Sequence, residues 1–258
     1  NESRTDLLFV SAPDVGRLKQ NTVLRYVEQG TMIPLGDGSR VLAIGLTGKP
    51  FAASGKPLGF GNELAVQFDH TPSEFAVLTN TGIHIVRRRR FIDIFANAIR
   101  VASGDEDLDN KVKTFTTING RVEMVAAALA VACGQGGDTR RAVDLLTEDR
   151  ARSIFINYGG QPKLADADVL QAPEDSVQLS ARHDALVLYL ARLTRTLWKS
   201  KVISMATDSA SGGFTVGSAI PISKLMTVQE SVQRLRRFLE QNKSLIQGLA
   251  GPSDRVSS

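Results

Sequence analysis

The hydrophobic period of this chain changes once, near residue 90, and that change limits its architecture more than any single motif does. Before it, short β-branched or aromatic runs at 7–10, 41–46, 63–68, 75–79 and 83–86 lie between Gly, Pro, Asn and Asp, and read as strands. The sharpest pair, FAVLT at 75–79 and IHIV at 83–86, is joined by Asn80-Thr81-Gly82, whose Asn and Gly suit the positive φ of a tight hairpin. Residues 47–61 hold six Gly or Pro and repeat Gly-Lys-Pro at 48–50 and 55–57, the composition of an exposed loop.

After residue 90 the period becomes 3.6 and is expected to stay helical to the end. Ile92, Phe95, Ile99 and Ala102 share one face, as do Val122, Val125, Leu129, Ala132 and Cys133, with Asn119 as the expected N-cap and Gly134 as the C-cap. Residues 138–158 are expected to divide at Thr147, followed by Glu148 and Asp149 as a new helix start. Residues 182–198 place Leu186, Tyr189, Leu190, Leu193 and Leu197 on one stripe that Val187, Leu188 and Trp198 widen, which predicts a helix buried between neighbours. Thr227-Val228-Gln229-Glu230 reads as a capping box opening a last helix, with Val228, Val232, Leu235, Leu239 and Ile246 inward. Residues 161–178 and 207–223, rich in Asp, Ala, Pro, Gly and Ser, are expected to be loops. Strands first and helices after argue for two units meeting near residue 90, not for an alternating parallel α/β sheet.

Composition narrows the functional classes. The 258 residues carry one cysteine, Cys133, so neither an intramolecular disulfide nor a multi-cysteine zinc site can form, and a reducing compartment, cytosol or nucleus, is expected. Lys and Arg number 31 against 27 Asp and Glu, and the tetrad Arg87, Arg88, Arg89 and Arg90 supplies the whole excess of +4. No window approaches the roughly 18 to 20 apolar residues of a membrane span. The chain starts with Asn, not Met, as expected of a piece of a longer polypeptide.

No catalytic, cofactor or metal residues emerge. Gly134-Gln135-Gly136-Gly137 follows an Ala-rich helical stretch and has Thr139 where a dinucleotide fingerprint needs its third glycine, so it reads as a helix end. Pro follows Lys49 and Lys56, which leaves the Gly-Lys-Pro repeats without the Ser or Thr of a P-loop. His70, His84 and His183 have no partner at metal spacing; His84 is expected on the solvent face of its strand and His183 in the first turn of a helix. Cys133 falls on an apolar helix face and reads as a buried structural thiol, and Asp105, Glu106, Asp107 and Asp109 read as dipole-complementing residues at a helix start. Four adjacent arginines suit phosphate backbones, anionic lipid or an import receptor, but they alternate faces on a strand and no aromatics interleave them. Salt bridging at the sheet-to-helix junction is the favoured reading.

The order of these features resembles that of the large inner-ring scaffold nucleoporins of the nuclear pore complex, the nucleoporin 155/170 family. The hairpin at 75–85 leading into Arg90-Phe91-Ile92-Asp93 resembles the family's passage from β-propeller to α-solenoid. LAVAC at 129–133, FINYGG at 155–160, RHDALVLYLAR at 182–192 running to Leu197-Trp198, and FLEQN at 238–242 resemble its later helices in the same order. The likeness spans most of residues 63–246; Phe91 stands where the family often has proline, and residues 1–62 match loosely.

This resemblance implies the last part of a β-propeller over residues 1–90 followed by the first helices of an α-solenoid over residues 91–258. It also implies a structural, non-enzymatic component of the pore's inner ring at the nuclear envelope, supporting nucleocytoplasmic transport of protein and mRNA. The implied partners are linker nucleoporins docking by short peptide segments, inner-ring scaffold neighbours and pore membrane proteins, with any membrane contact outside this segment and no specific nucleic acid. Cut from its ring, such a segment is expected to be poorly soluble. The alternative is a basic nucleic-acid or chromatin-contacting module acting through Arg87 to Arg90, with binding that falls steeply with salt.

Overall fold

The computed structural model describes residues 6–11, 29–47, 63–68, 72–137, 143–164, 177–198, 200–207 and 214–243. It divides into two compact units, Asn1–Gly55 with Pro72–Arg88, and Lys56–Thr71 with Arg89–Ser258.

The first unit is built of antiparallel strands. β1 (Asp6–Ser11) pairs with β2 (Gln29–Pro34), from Asp6 opposite Pro34 to Ser11 opposite Gln29. β3 (Val41–Leu46), β4 (Glu74–Thr79) and β5 (Gly82–Arg87) form a three-stranded sheet in that order. The expected hairpin is present, with Thr79 paired to Gly82. Its turn is held by the Thr79 hydroxyl, which donates to the Gly82 carbonyl (2.9 Å) and accepts from the Gly82 amide (3.1 Å). Asn80 works across the sheet: its Nδ2 donates to the Gly38 carbonyl (3.1 Å) and its Oδ1 accepts from the Arg40 amide (2.7 Å), tying the hairpin to the residues before β3.

The second unit is helical around α4 (Arg121–Ala132), in which every residue from Met124 to Val131 is buried. Four alanines in that stretch leave room for neighbours to approach on all sides, and the helix is wrapped by α2 (Phe91–Arg100), α3 (Asp105–Asn119), α5 (Leu145–Tyr158) and α6 (Ala181–Trp198). The expected α2 face is the buried one: Ile92, Phe95 and Ile99 are fully enclosed, each contributing about 1.5–3 kcal/mol of transfer free energy. α7 (Ile222–Gln241) adds Leu235 and Phe238, whose ring meets Phe155 edge-on at 5.7 Å.

Helix ends depart from the sequence expectation in three places. Asn119 is the last residue of α3, not the N-cap of α4; Gly120 alone, at φ +88°, separates the two helices. Thr147 lies inside α5, whose N-cap is Asp144: its carboxylate accepts from the Thr147 amide (2.8 Å) and hydroxyl (2.9 Å). α7 begins after Pro221, five residues before the expected capping box, and the Thr227 hydroxyl donates backward to the Ser223 carbonyl (2.9 Å) as a mid-helix Thr does. Gly134 does end α4. At φ +77°, it donates to the Val131 carbonyl while the Gln135 amide reaches Ala130, a Schellman arrangement.

Two segments read as loops contain paired strands instead. β6 (Lys163–Leu164) pairs with β7 (Val177–Gln178), and β8 (Ile203–Thr207) with β9 (Phe214–Ser218). The second ribbon alternates Ile203 and Met205 against Val216 and Phe214, a period of two that the flanking Ser and Gly hide. Residues 63–68, expected as a strand, form the single turn α1 (Glu63–Val66) and belong to the helical unit; a short apolar run fits either period, and its packing against helices selects this one.

Candidate functional site

The arginine tetrad is split by its surroundings. Arg87 lies at the end of β5 opposite Glu74, and its Nε donates to that carboxylate at 2.8 Å, with Nη2 on the same oxygen. Arg90 forms a fork on Asp93, Nε to Oδ2 at 2.9 Å and Nη2 to Oδ1 at 2.7 Å, while the same Oδ2 accepts the Arg90 amide. Such bidentate pairs suit the guanidinium geometry. Arg88 and Arg89 are exposed. The salt-bridging reading holds for the two outer arginines.

Around Arg90 the structure assembles a polar junction that periodicity did not reveal. Gln67 is 4% exposed; its Oε1 accepts the Ile92 amide (3.0 Å) at the start of α2, its Nε2 donates to the Leu64 carbonyl (3.0 Å), and its own carbonyl accepts from Arg90 Nη1 (3.0 Å). Next to it the Phe68 ring meets Tyr189 edge-on at 5.3 Å. Behind Tyr189, the Arg192 guanidinium donates to both carboxylate oxygens of Glu123, at 2.8 and 2.6 Å, joining α6 to α4. Burial pushes the Tyr189 hydroxyl well above its usual pKa, so it stays protonated.

The buried face of α6 is Arg182, Ala185, Tyr189, Arg192 and Leu193, so the expected stripe is fully buried at Tyr189 and Leu193, half-buried at Leu186 and Leu197, and displaced toward the two arginines. Leu190 and Val187 are exposed, and Trp198 is 87% exposed. The signal was available: 182, 185, 189 and 192 keep helical spacing, but two arginines within it mask an inward face. Each buried arginine has a defined acceptor. Arg182 donates twice to the Gly160 carbonyl (2.9 and 2.6 Å), beside the Arg121 bond to the Tyr158 carbonyl (2.6 Å), so the C-terminal end of α5 is neutralised by cations. Arg150 does the same for α2, through the Ile99 carbonyl at 2.8 Å.

Other residues singled out from the sequence occupy structural positions. His84 pairs with Val77 and is half-buried, whereas Ile83 and Ile85 are the exposed members of β5, the reverse of the expected orientation; the sheet carries apolar side chains on both faces, so alternation alone does not identify the solvent side. His183 is in the first turn of α6 as expected, and His70 lies outside the described residues. Cys133 is buried, and burial with the nearby Glu148 charge pushes its thiol up to about 12. Asp105, Glu106 and Asp107 open α3. Among the described residues no group of three His, Cys, Asp or Glu could hold a metal ion, and no helix is long and apolar enough to cross a membrane.

What remains open to partners is apolar surface. In the strand unit, Ile44 and Leu46 are exposed on one face of the β3-β4-β5 sheet and Leu78, Ile83 and Ile85 on the other. In the helical unit, Ile203, Met205, Phe214 and Val216 expose one side of the β8–β9 ribbon.

Comparison with known proteins agrees with this inventory. Two family models match, one described as Nup133 N terminal like over residues 3–85 and one as non-repetitive/WGA-negative nucleoporin C-terminal over residues 180–258. Nucleoporin NUP170 of Chaetomium thermophilum is 58% identical over 97% of this chain and 18% of its own length, and a probable nucleoporin of Schizosaccharomyces pombe is 30% identical over all of this chain and 20% of its own. The chain thus spans about a fifth of the length of these curated relatives. The crystal structure of the Chaetomium thermophilum Nup170 NTD–Nup53 complex superimposes with a TM-score of 0.78 at 54% identity, covering 98% of this chain and 34% of that one. Identity of this order along nearly the whole chain, together with nucleoporin models at both ends, makes this chain similar over its length to a part of the Nup170 nucleoporins.

Proposed function

We propose that this chain is part of a structural scaffold of the nuclear pore inner ring at the nuclear envelope, presenting surfaces on which linker and membrane-associated nucleoporins dock and so supporting nucleocytoplasmic transport. The observation that carries this reading is the likeness, at 54% identity, to a Nup170 domain crystallised with Nup53. On this reading the strand unit is the end of a β-propeller, with the boundary near residue 90, and the helices begin an α-solenoid. A three-stranded sheet apolar on both faces is what a blade between two neighbouring blades requires, and a helical unit built on one enclosed helix suits the start of a stacked array. The function is presentation of shape, not catalysis: extended peptides dock on such surfaces through a few apolar anchors.

The test is affinity capture from nuclease-treated nuclear-envelope extract at physiological salt, with the full-length protein as bait. Enrichment of linker and inner-ring nucleoporins supports the reading. Capture of nucleic-acid-dependent proteins that vanish with nuclease would replace it with the basic-module alternative, which the engagement of Arg87 by Glu74 and of Arg90 by Asp93 disfavours.

A further inference from the structure

We propose that residues 64–68 act as a latch: a cis-docked turn, remote in sequence from the helices it joins, that caps α2 and closes the α4–α6 seam, and that opens locally without unfolding the helical core. The turn makes three attachments of different chemistry. Gln67 Oε1 takes the Ile92 amide, one of the donors that a helix start leaves without an intrahelical partner. Arg90 Nη1 holds the Gln67 carbonyl while the rest of its guanidinium is fixed on Asp93, so the grip is pre-oriented. The Phe68 ring meets Tyr189 edge-on, and Gln67, Phe68, Phe91, Glu123, Tyr189 and Arg192 come together around the buried ion pair.

The attachments are few and peripheral. The enclosed residues of α2, α4 and α5, Phe95, Ile99, Leu129 and Phe155 among them, belong to a cluster that continues without the turn. Opening therefore removes one cap, one hydrogen bond from Arg90 and one aromatic contact, the scale of a sub-global fluctuation. Connectivity gives the latch its use. β4 begins at Glu74, six residues after Phe68, and β5 ends at Arg87, three residues before Arg90. The Gln67–Arg90 bond thus joins two segments of the helical unit that lie on either side of the β4–β5 hairpin in sequence.

Hydrogen exchange on the full-length protein tests this, comparing the parent with Gln67→Ala, Gln67→Glu and Phe68→Leu. Gln67→Ala should speed exchange of the Ile92 amide about tenfold or more, and exchange in α6 around Tyr189 should rise with it, while α5 amides at Ile154 and Phe155 stay as in the parent. Gln67→Glu keeps a side-chain acceptor for Ile92, the backbone carbonyl that Arg90 holds being present in every variant, and should restore most of the protection. Phe68→Leu should move the Tyr189 segment more than Ile92. Unchanged Ile92 exchange in Gln67→Ala overturns the proposal, as does equal acceleration in α5 or failure of the variant to fold, either of which makes the turn part of the global core.

Discussion

Glu123 and Arg192, 69 residues apart in sequence, face each other through two charged hydrogen bonds of 2.6 and 2.8 Å that join α4 to α6. Arg192 is 8% exposed, so its charge has been taken out of water, and the carboxylate is what makes that burial tolerable. Removing one partner leaves the other charged and enclosed. Glu123→Leu alone is accordingly expected to destabilise the protein by about 3–5 kcal/mol, whereas the double variant Glu123→Leu, Arg192→Met should lose much less. Urea unfolding of the four members of this cycle measures the coupling, and additive losses would show that the pair is not coupled.

Asp144 caps α5 by accepting the Thr147 amide, and this hydrogen bond holds its carboxyl below the usual pKa. A group with a lowered folded pKa contributes stability above its unfolded pKa and loses it as pH falls through the folded value. Asp144→Asn, a good neutral cap, should flatten the acid side of the stability profile while changing neutral stability little; Asp144→Ala should cost about 1 kcal/mol at neutral pH. Thermal melts across the acidic range decide between these outcomes.

Gly136 sits at φ +85°, and a Cβ there would stand 2.8 Å from the Ile92 carbonyl oxygen, a backbone atom that cannot swing away. Gly136→Ala should therefore cost about 1–3 kcal/mol through left-handed strain and collision together. Gly38, at φ +72° with open space around it, serves as the control: the same substitution there should cost only the conformational part. Equal losses at the two sites in denaturant melts would remove the collision from the explanation.

Cys133 is enclosed and its thiol is raised to about 12, so at neutral pH it is neither exposed nor ionised. Alkylation by iodoacetamide should be undetectable in the native protein and complete once denaturant unfolds the helical unit. Rapid labelling of the native state would show that α4 is not enclosed as described.

The sequence revealed those features that one segment determines by itself. The α2 face of Ile92, Phe95 and Ile99, the β4–β5 hairpin and the termination of α4 at Gly134 depend on local period and on glycine backbone freedom, and the structure has all three. Misreadings arose where a distant partner changes what a residue is for. Arg182 and Arg192 count as surface charges until the Gly160 carbonyl and Glu123 appear beside them. Gln67's local bond, to the Leu64 carbonyl, does not reveal its place; the contact that does lies 25 residues away at Ile92. Thr227 and Asn119 carry good cap chemistry at positions where the chain is already helical, because Pro221 starts α7 earlier and Gly120 divides α3 from α4 later than side-chain propensity alone suggests. The exposed apolar surfaces carry no motif, since exposed apolar side chains on a sheet are indistinguishable in sequence from buried ones.

The central claim, that this chain belongs to a scaffold that docks linker nucleoporins, is tested most directly by calorimetric titration. The purified full-length protein would be titrated, free of nucleic acid and at physiological salt, with the Nup53-type linker of its own source organism. Saturable binding that survives replacement of the exposed Arg88 and Arg89 by alanine is the expected result. Absence of linker binding, alongside duplex-DNA binding that weakens steeply with salt and disappears in the alanine variant, would contradict it.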